Sequence, residues 1–401
     1  MPASTISVGE LADERPVREC LQWFTREKQW INEIHLSLCR IPAPTFLEQQ
    51  RAEWMAAQFR AMGCEASLDR AGNVVATLGP LSDGPYVALT AHLDTVLTPR
   101  TKEEITVEPD GRFRGPGVSD NGAGLAALLG VARALKSCQR LDEAFAKLVF
   151  IANVGEEGEG NLSGMRFLCK QSPLAKKFGA FLILDGATTD HITNRALGSR
   201  RFEVTFTGPG GHSWSDYGVG NPVHALSRAV ALFSEVRLNG GPKSSINVGL
   251  IEGGTGINAI PAMARAKVDI RSESNEKMDE LVELLNGSIE RSREVENQRA
   301  TGGRVAVKIR EIGARPAAFM PDDARILTFL RAVDSHLGIR SHLDCASTDA
   351  NIPMSLGIPA LSIGAGGQGG GAHTAQEWFK PEGRDLGLKR ILLTLWLLLR
   401  A

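Results

Sequence analysis

The chain has 401 residues, 43% apolar and 23% charged, enough for two or three domains around a sizeable core. Its formal net charge of −1 gives no bulk attraction to nucleic acid or to an anionic membrane surface, so neither is expected as a partner. The cysteines (Cys20, Cys39, Cys64, Cys138, Cys169 and Cys345) are scattered, contain no CxxC pair and form no disulfide framework, which fits a reducing cytoplasm.

In chain order, the N-terminus lacks the basic start and apolar core of a signal peptide. Phe46 to Met62 is expected to be a helix, with Met55, Phe59 and Met62 on one face and Gly63 as its stop. YVALTA (Tyr86 to Ala91), KLVFIANV (Lys147 to Val154) and FLIL (Phe181 to Leu184) are strands, and Gly122 to Leu135 is an apolar helix. Short apolar strands alternating with helices imply a sheet covered on both faces.

Near Gly198 the pattern changes. Strands at Arg201 to Thr207, Ser245 to Ile251, Ala264 to Arg271 and Arg304 to Glu311 combine with helices at Asn221 to Val236 and Asn275 to Arg293. The order β-α-β-β-α-β is ferredoxin-like, and the two middle strands can pair as a hairpin. The first pattern then resumes with a helix at Asp322 to Leu337, a strand at Ile358 to Ile363 and a helix at Leu386 to Leu399. Within that last helix the apolar run Ile391 to Leu399 is too short to span a bilayer. The expected class is α/β, with a central mixed sheet in a discontinuous domain (1–197 and 315–401) and an inserted ferredoxin-like domain (198–314).

Potential metal ligands follow the strands of the outer domain. YVALTA runs into His92 and Asp94, KLVFIANV into Glu156 and Glu157, FLIL into Asp185, and PALSI through a glycine stretch to His373. Asp120 directly precedes the Gly122 helix, where it could also serve as a cap. Sites in open α/β sheets form outside the carboxyl ends of the strands. Neutral imidazole and carboxylate both suit Zn²⁺. Five ligands (His92, Asp120, Glu157, Asp185 and His373) are too many for one tetrahedral catalytic zinc but suit two ions if one carboxylate bridges. Crowded carboxylates without a cation are electrostatically costly, so the cluster itself argues for metal. Asp94, two residues after His92, is placed to orient that imidazole. Adjacent residues point apart, so with Glu157 on metal Glu156 can face the reacting water as general base.

The motifs AHLDT, GPGVSDNGAG, GEEGEG, GGHS, INAIP and GAHTAQEW, in this order and over nearly the whole chain, resemble the di-zinc exopeptidases. That family includes peptidase T, carboxypeptidase G, acetylornithine deacetylase and succinyl-diaminopimelate desuccinylase. Ser347-Thr348-Asp349-Ala350-Asn351 is most similar to the peptidase T-like branch, although Ala346-Ser347-Thr348 departs from its usual Gly-Gly-Ser. The resemblance implies that His92, Asp120 and Asp185 hold one zinc and that Asp120, Glu157 and His373 hold the other, with Asp120 bridging. Co²⁺ or Mn²⁺ also suits such sites. It further implies a metal-bridging hydroxide with Glu156 as general base, a cis bond between Asp120 and Asn121, oxyanion stabilisation by His212, and substrate contacts from Asn258, Arg271 and Asp349. Arg271 could equally make a structural salt bridge. The insert is then a lid and dimerisation domain, and the chain a homodimer.

The expected reaction is cleavage of an amide bond in di- or tripeptides. The alternative is removal of an acyl group from an amino acid by the same metal centre. A third reading, an inactive peptide-binding relative, is opposed by the completeness of the ligand set. Gly364 to Gly369 fits GxGxxG after a strand, but no clear helix follows and no acidic residue lies about 20 positions on. These glycines instead let the backbone pass close to the metals. His35, His191, His224, His336 and His342 match no ligand position.

Overall fold

The computed structural model describes residues 7–138 and 141–401. The chain forms two compact units, one of residues up to Ala196 together with Phe319–Ala401, the other Leu197–Ala318.

The first unit is built on a mixed sheet. Its spatial order runs Glu65–Leu68, Val74–Thr77, Leu148–Asn153, Tyr86–His92, Phe178–Leu184, Ala360–Ile363 and His191–Ala196, with His342–Ala346 alongside the last. The four strands from Leu148–Asn153 to Ala360–Ile363 are mutually parallel neighbours. Every residue of Tyr86–His92 and Leu148–Asn153 is buried, so both faces of the sheet are covered, as their unbroken apolar runs require. Because the four strands are parallel, their carboxyl ends lie along one edge, and the site is built there. The helix Gly122–Ser137 is buried along nearly its whole length, and Arg384–Leu399 is an internal helix. Among the described residues no helix is long and apolar enough to cross a membrane.

Three helices, Val8–Asp13, Arg15–Arg26 and Lys28–Cys39, precede the first strand and were not expected from the sequence pattern. The helix expected from Phe46 begins at Gln49 instead. Phe46 sits at φ 75°, outside helical space, because the preceding residues are tied to a neighbouring loop through the Pro44–Thr95 bridge.

The second unit is a four-stranded antiparallel sheet in the order Ser244–Gly253, Met263–Ser272, Gly198–Thr207, Ala306–Arg315. With helices Pro222–Ser234 and Asn275–Arg299 it has the ferredoxin-like order and pairing, including the expected hairpin. Phe202, Val204, Phe206, Val268 and Ile270 alternate into its core, and the charged residues between them take the other face. The last strand runs beyond the expected Glu311 because a bulge between Glu311 and Gly313 lets the pairing resume to Arg315.

Candidate metal centre

At the strand ends the expected ligands converge. His92 is almost fully buried, and its Nε2 lies 3.1 Å from Asp120 Oδ1 and 3.8 Å from Asp185 Oδ1. His373 Nε2 lies 3.0 Å from Asp120 Oδ2 and 2.9 Å from Glu157 Oε1. Asp120 thus turns one oxygen toward each histidine. Two three-residue groups, His92–Asp120–Asp185 and Asp120–Glu157–His373, each bring their ligand atoms within 4.8 Å of one another and share Asp120. The His373 side chain is 52% exposed, so the second group faces the open side.

The turn carrying Glu156 and Glu157 differs from expectation. The two side chains do not point apart: ligand atoms of His92, Glu156 and Glu157 also lie within 4.8 Å of one another. The reason is local. Gly155, at φ 65°, bends the chain out of the extended form, and buried acids catch the N–H groups of the turn. Gly155 N–H donates to Glu48 Oε1 at 3.0 Å, Glu156 N–H to Asp94 Oδ1 at 3.0 Å, and Glu157 N–H to Asp94 Oδ2 at 2.9 Å.

Asp94 therefore does more than face His92. Its own main-chain carbonyl is 2.9 Å from His92 Nδ1, its Oδ1 is 3.6 Å from the same nitrogen, and Thr45 Oγ1 donates to Oδ2 at 2.9 Å. Burial would raise the Asp94 carboxyl, but the His92 imidazole and these N–H donors outweigh it and hold it below the usual range.

Other supports were missed because their partners are remote in sequence. Glu377, buried, accepts from Gly117 N–H at 2.7 Å and from Ser119 and Asp120 N–H at 2.8 Å, fixing the loop that presents Asp120. Asn121, not Asp120, caps the Gly122–Ser137 helix, which leaves the Asp120 carboxylate for the cluster. Asn121 Nδ2 donates to Leu184 O at 2.8 Å and its Oδ1 accepts from Gly186 N–H at 3.2 Å, so one side chain brackets Asp185. The bond between Asp120 and Asn121 is cis. Glu377 lies in GAHTAQEW, four residues after His373, and Asn121 in SDN; these positions were the only sequence signals.

The glycine stretch threads between ligand-bearing segments. A Cβ on Gly364 would lie 1.8 Å from Ala187 O, and one on Gly369 would lie 2.2 Å from Ser119 Oγ. His35 is buried and structural, 2.7 Å from Val118 O and 2.7 Å from an Arg384 nitrogen.

Asp349 lies elsewhere than the resemblance implies. Expected to touch substrate, it is 0% exposed, with Oδ2 accepting from Asn153 Nδ2 at 2.6 Å. Burial pushes its carboxyl up to about 7. It supports the end of the Leu148–Asn153 strand and presents no surface to a ligand.

In the second unit, GGHS and INAIP come together. His212 pairs with Ala259, and Ser213 N–H donates to Asn258 O at 2.9 Å. His212 Nδ1 accepts the Trp214 and Ser215 N–H groups at 3.2 and 3.4 Å, which in the neutral ring leaves Nε2 as the donor. Arg271 lies near the other end of strand Met263–Ser272, roughly 25 Å along it by the strand rise. Its Nε donates to Asp269 Oδ2 at 2.8 Å, so one of its donors is used in an ion pair within the strand.

The donor set fits divalent metal. Imidazole nitrogens and carboxylate oxygens face one another with no Lys or Arg in the ligand groups of the described residues, and the carboxylates favour the protonated form of both histidines. The Asp120 and Glu157 carboxylates raise His373 to about 10. For His92, burial opposes protonation, but Asp120, Asp185 and Asp94 raise it well above the ordinary value.

A family model, Peptidase family M20/M25/M40, matches residues 88–395. The chain belongs to this family. It is 25% identical over 358 residues to the uncharacterised protein YqjE of Bacillus subtilis, covering 86% of this chain and 91% of that one. It is 26% identical over 337 residues to a succinyl-diaminopimelate desuccinylase of Corynebacterium glutamicum, covering 82% and 86%. A tripeptidase structure from Staphylococcus aureus shares the fold with a TM-score of 0.75 at 20% identity, covering 93% of this chain and 99% of that one. The M20/M25/M40 chain is a metal-dependent hydrolase of peptide or amide bonds.

Proposed function

We propose that the protein is a two-metal exopeptidase acting on di- or tripeptides. The observation that carries this reading is Asp120, whose two oxygens serve two separate ligand groups. His92, Asp120 and Asp185 would hold one ion and Asp120, Glu157 and His373 the other. Zinc matches the donors, and Co²⁺ or Mn²⁺ would also suit them. Two such ions, when bound, supply an acidified water and polarise the scissile carbonyl.

Glu156 lies outside both Asp120-centred groups. It is the residue to take the proton from the attacking water and pass it to the leaving amine. Asp94 and Glu48 fix its turn. His212 Nε2–H is the donor for the oxyanion, and Asn258 beside it would bind the substrate. The remaining guanidinium donors of Arg271, whose side chain is 36% exposed, would grip a substrate carboxylate.

A dipeptide spans only about 7 Å, far less than the separation of His212 and Arg271 within one insert. Both reach one substrate only if they come from two chains. This supports a homodimer through the insert, whose strand Ser244–Gly253 is an open edge that a second copy could pair. Mixing His212→Ala with Glu156→Gln chains under subunit exchange should restore roughly a quarter of wild-type activity, because random pairing makes about half the dimers mixed, each with one intact site. A verified mixed dimer without activity refutes the trans arrangement. The cysteines are all free, which supports a cytoplasmic setting.

The desuccinylase relative favours one second reading, an N-acyl amino acid deacylase with the same centre. Metal-loaded protein should hydrolyse free-amine di- and tripeptides faster than N-acetyl and N-succinyl amino acids. The reverse preference assigns the deacylase activity, and turnover of neither class refutes both.

A further inference from the structure

We propose that the substrate carries a bulky apolar group and that Phe46, Leu47, Val96 and Leu97 form the subsite that takes it. The inference rests on the hydrolase reading above and adds the substrate's character.

These four side chains are exposed by 66, 70, 45 and 39%. Isolated apolar residues on a surface are ordinary, but these four leave two loops that are fastened side by side. Thr95 N–H donates to Ala43 O at 3.0 Å, and Pro44 and Thr95 form a parallel bridge. Beneath them the buried Arg51 ties the same loops again, donating from Nε to Ile41 O at 3.0 Å and from a terminal nitrogen to Leu93 O at 2.7 Å. Val96 directly follows Thr95 and Phe46 comes two residues after Pro44, so the four exposed side chains leave adjoining, fastened segments.

The position of the patch selects its occupant. Thr45, the residue before Phe46, donates to the Asp94 carboxylate that also holds the Glu156 and Glu157 N–H groups. Val96 and Leu97 follow His92 and Asp94 on one short segment. The segments that carry the patch therefore hang on the same Asp94 hydrogen bonds that hold the turn of the ligand cluster. Phe46, at φ 75°, is held in a conformation that bulky residues rarely adopt, with its ring in solvent rather than in the core. A stable protein partner would need about 800 Å² on this surface, whereas four side chains match one substrate side chain or acyl group.

The second unit supports the same substrate character independently. Trp214 is 86% exposed and Ile257 104%, and they flank His212 and Asn258 on the two joined loops.

The test uses full-length, metal-loaded protein and paired substrates: Leu-Gly, Phe-Gly, Gly-Leu and Gly-Phe against Gly-Gly, with N-acetyl-leucine against N-acetyl-glycine for the deacylase case. At one of the varied positions the apolar substrate should exceed its glycine counterpart by about 10- to 100-fold in kcat/KM. Phe46→Ser combined with Leu97→Ser should cut that ratio about 10-fold or more while metal content stays at the wild-type level. Val96→Thr, a milder change, should cut it in the same direction. A flat series among hydrolysed substrates overturns the subsite and leaves the hydrolase reading intact. A preference that survives the variants overturns it too, as does a change in sedimentation without a change in selectivity, which would assign the patch to an interface. Turnover of no substrate in any pair removes the hydrolase reading and the subsite with it.

Discussion

Glu296 in the insert and Asp120 at the strand ends are both carboxylates taken largely out of water, and they are satisfied in opposite ways. Glu296 has its cations built in. Arg228 donates to it at 2.5 Å, Arg299 at 2.6 Å and Asn221 N–H at 2.9 Å. Burial would raise its carboxyl, but these donors bring it down to about 2. Asp120 shares its neighbourhood with Glu157 and Asp185, and its carboxylate pairs with the two histidines His92 and His373. The first arrangement is complete within the chain and stabilises it. The second gathers carboxylates around two histidines with no arginine among the described residues of its ligand groups, the arrangement a cation from outside would complete.

The contrast can be broken in order of expected effect. Glu156→Gln keeps shape and both Asp120-centred groups but removes the proton acceptor. Its kcat should fall by about 10²–10⁴-fold with metal content unchanged, measured by elemental analysis beside turnover. Equal loss of metal in Glu156→Gln and Glu157→Gln would erase the division of roles between them.

Glu296→Gln should cost the insert roughly 2 kcal/mol at neutral pH and leave metal content untouched. A carboxyl whose folded pKa lies below its unfolded value stabilises above the unfolded value. That stability is lost as pH falls through the folded one. The difference in unfolding free energy between variant and wild type should therefore be full above about pH 4.5 and shrink toward about pH 2. A difference independent of pH would show that the arginines do not set this carboxylate.

The smallest effect concerns His373. In the metal-free chain it is raised to about 10, so the proton's stabilising contribution is full below the unfolded value near 6.5 and lost as pH rises through about 10. Metal must displace that proton. Metal uptake at pH 8 should release protons, seen calorimetrically as a dependence on buffer ionisation enthalpy, and His373→Ala should release fewer.

The same contrast explains what the sequence disclosed. The five candidate ligands stood out in the sequence because most follow a mainly apolar strand or open an apolar helix, where a lone His, Asp or Glu is conspicuous. The ferredoxin-like order was legible from alternation in strands such as Arg201 to Thr207. Glu377 was not, because the N–H groups it holds lie some 260 positions earlier. Asp349 was misread because its motif sits beside the centre in sequence similarity, while its partner, Asn153, lies 196 positions away. The direction of Glu156 also escaped, since it depends on Gly155 and on N–H groups caught by Asp94 and Glu48. Ligand identity is local in sequence, whereas ligand orientation comes from long-range hydrogen bonds.

The central claim is that Asp120 serves two ions at once. Metal titration of Asp120→Asn by calorimetry, with wild type alongside, tests it directly. Wild type should take up two divalent ions per chain, and the variant should lose tight binding of both together. A variant that still bound two zinc ions with wild-type affinity would contradict the account.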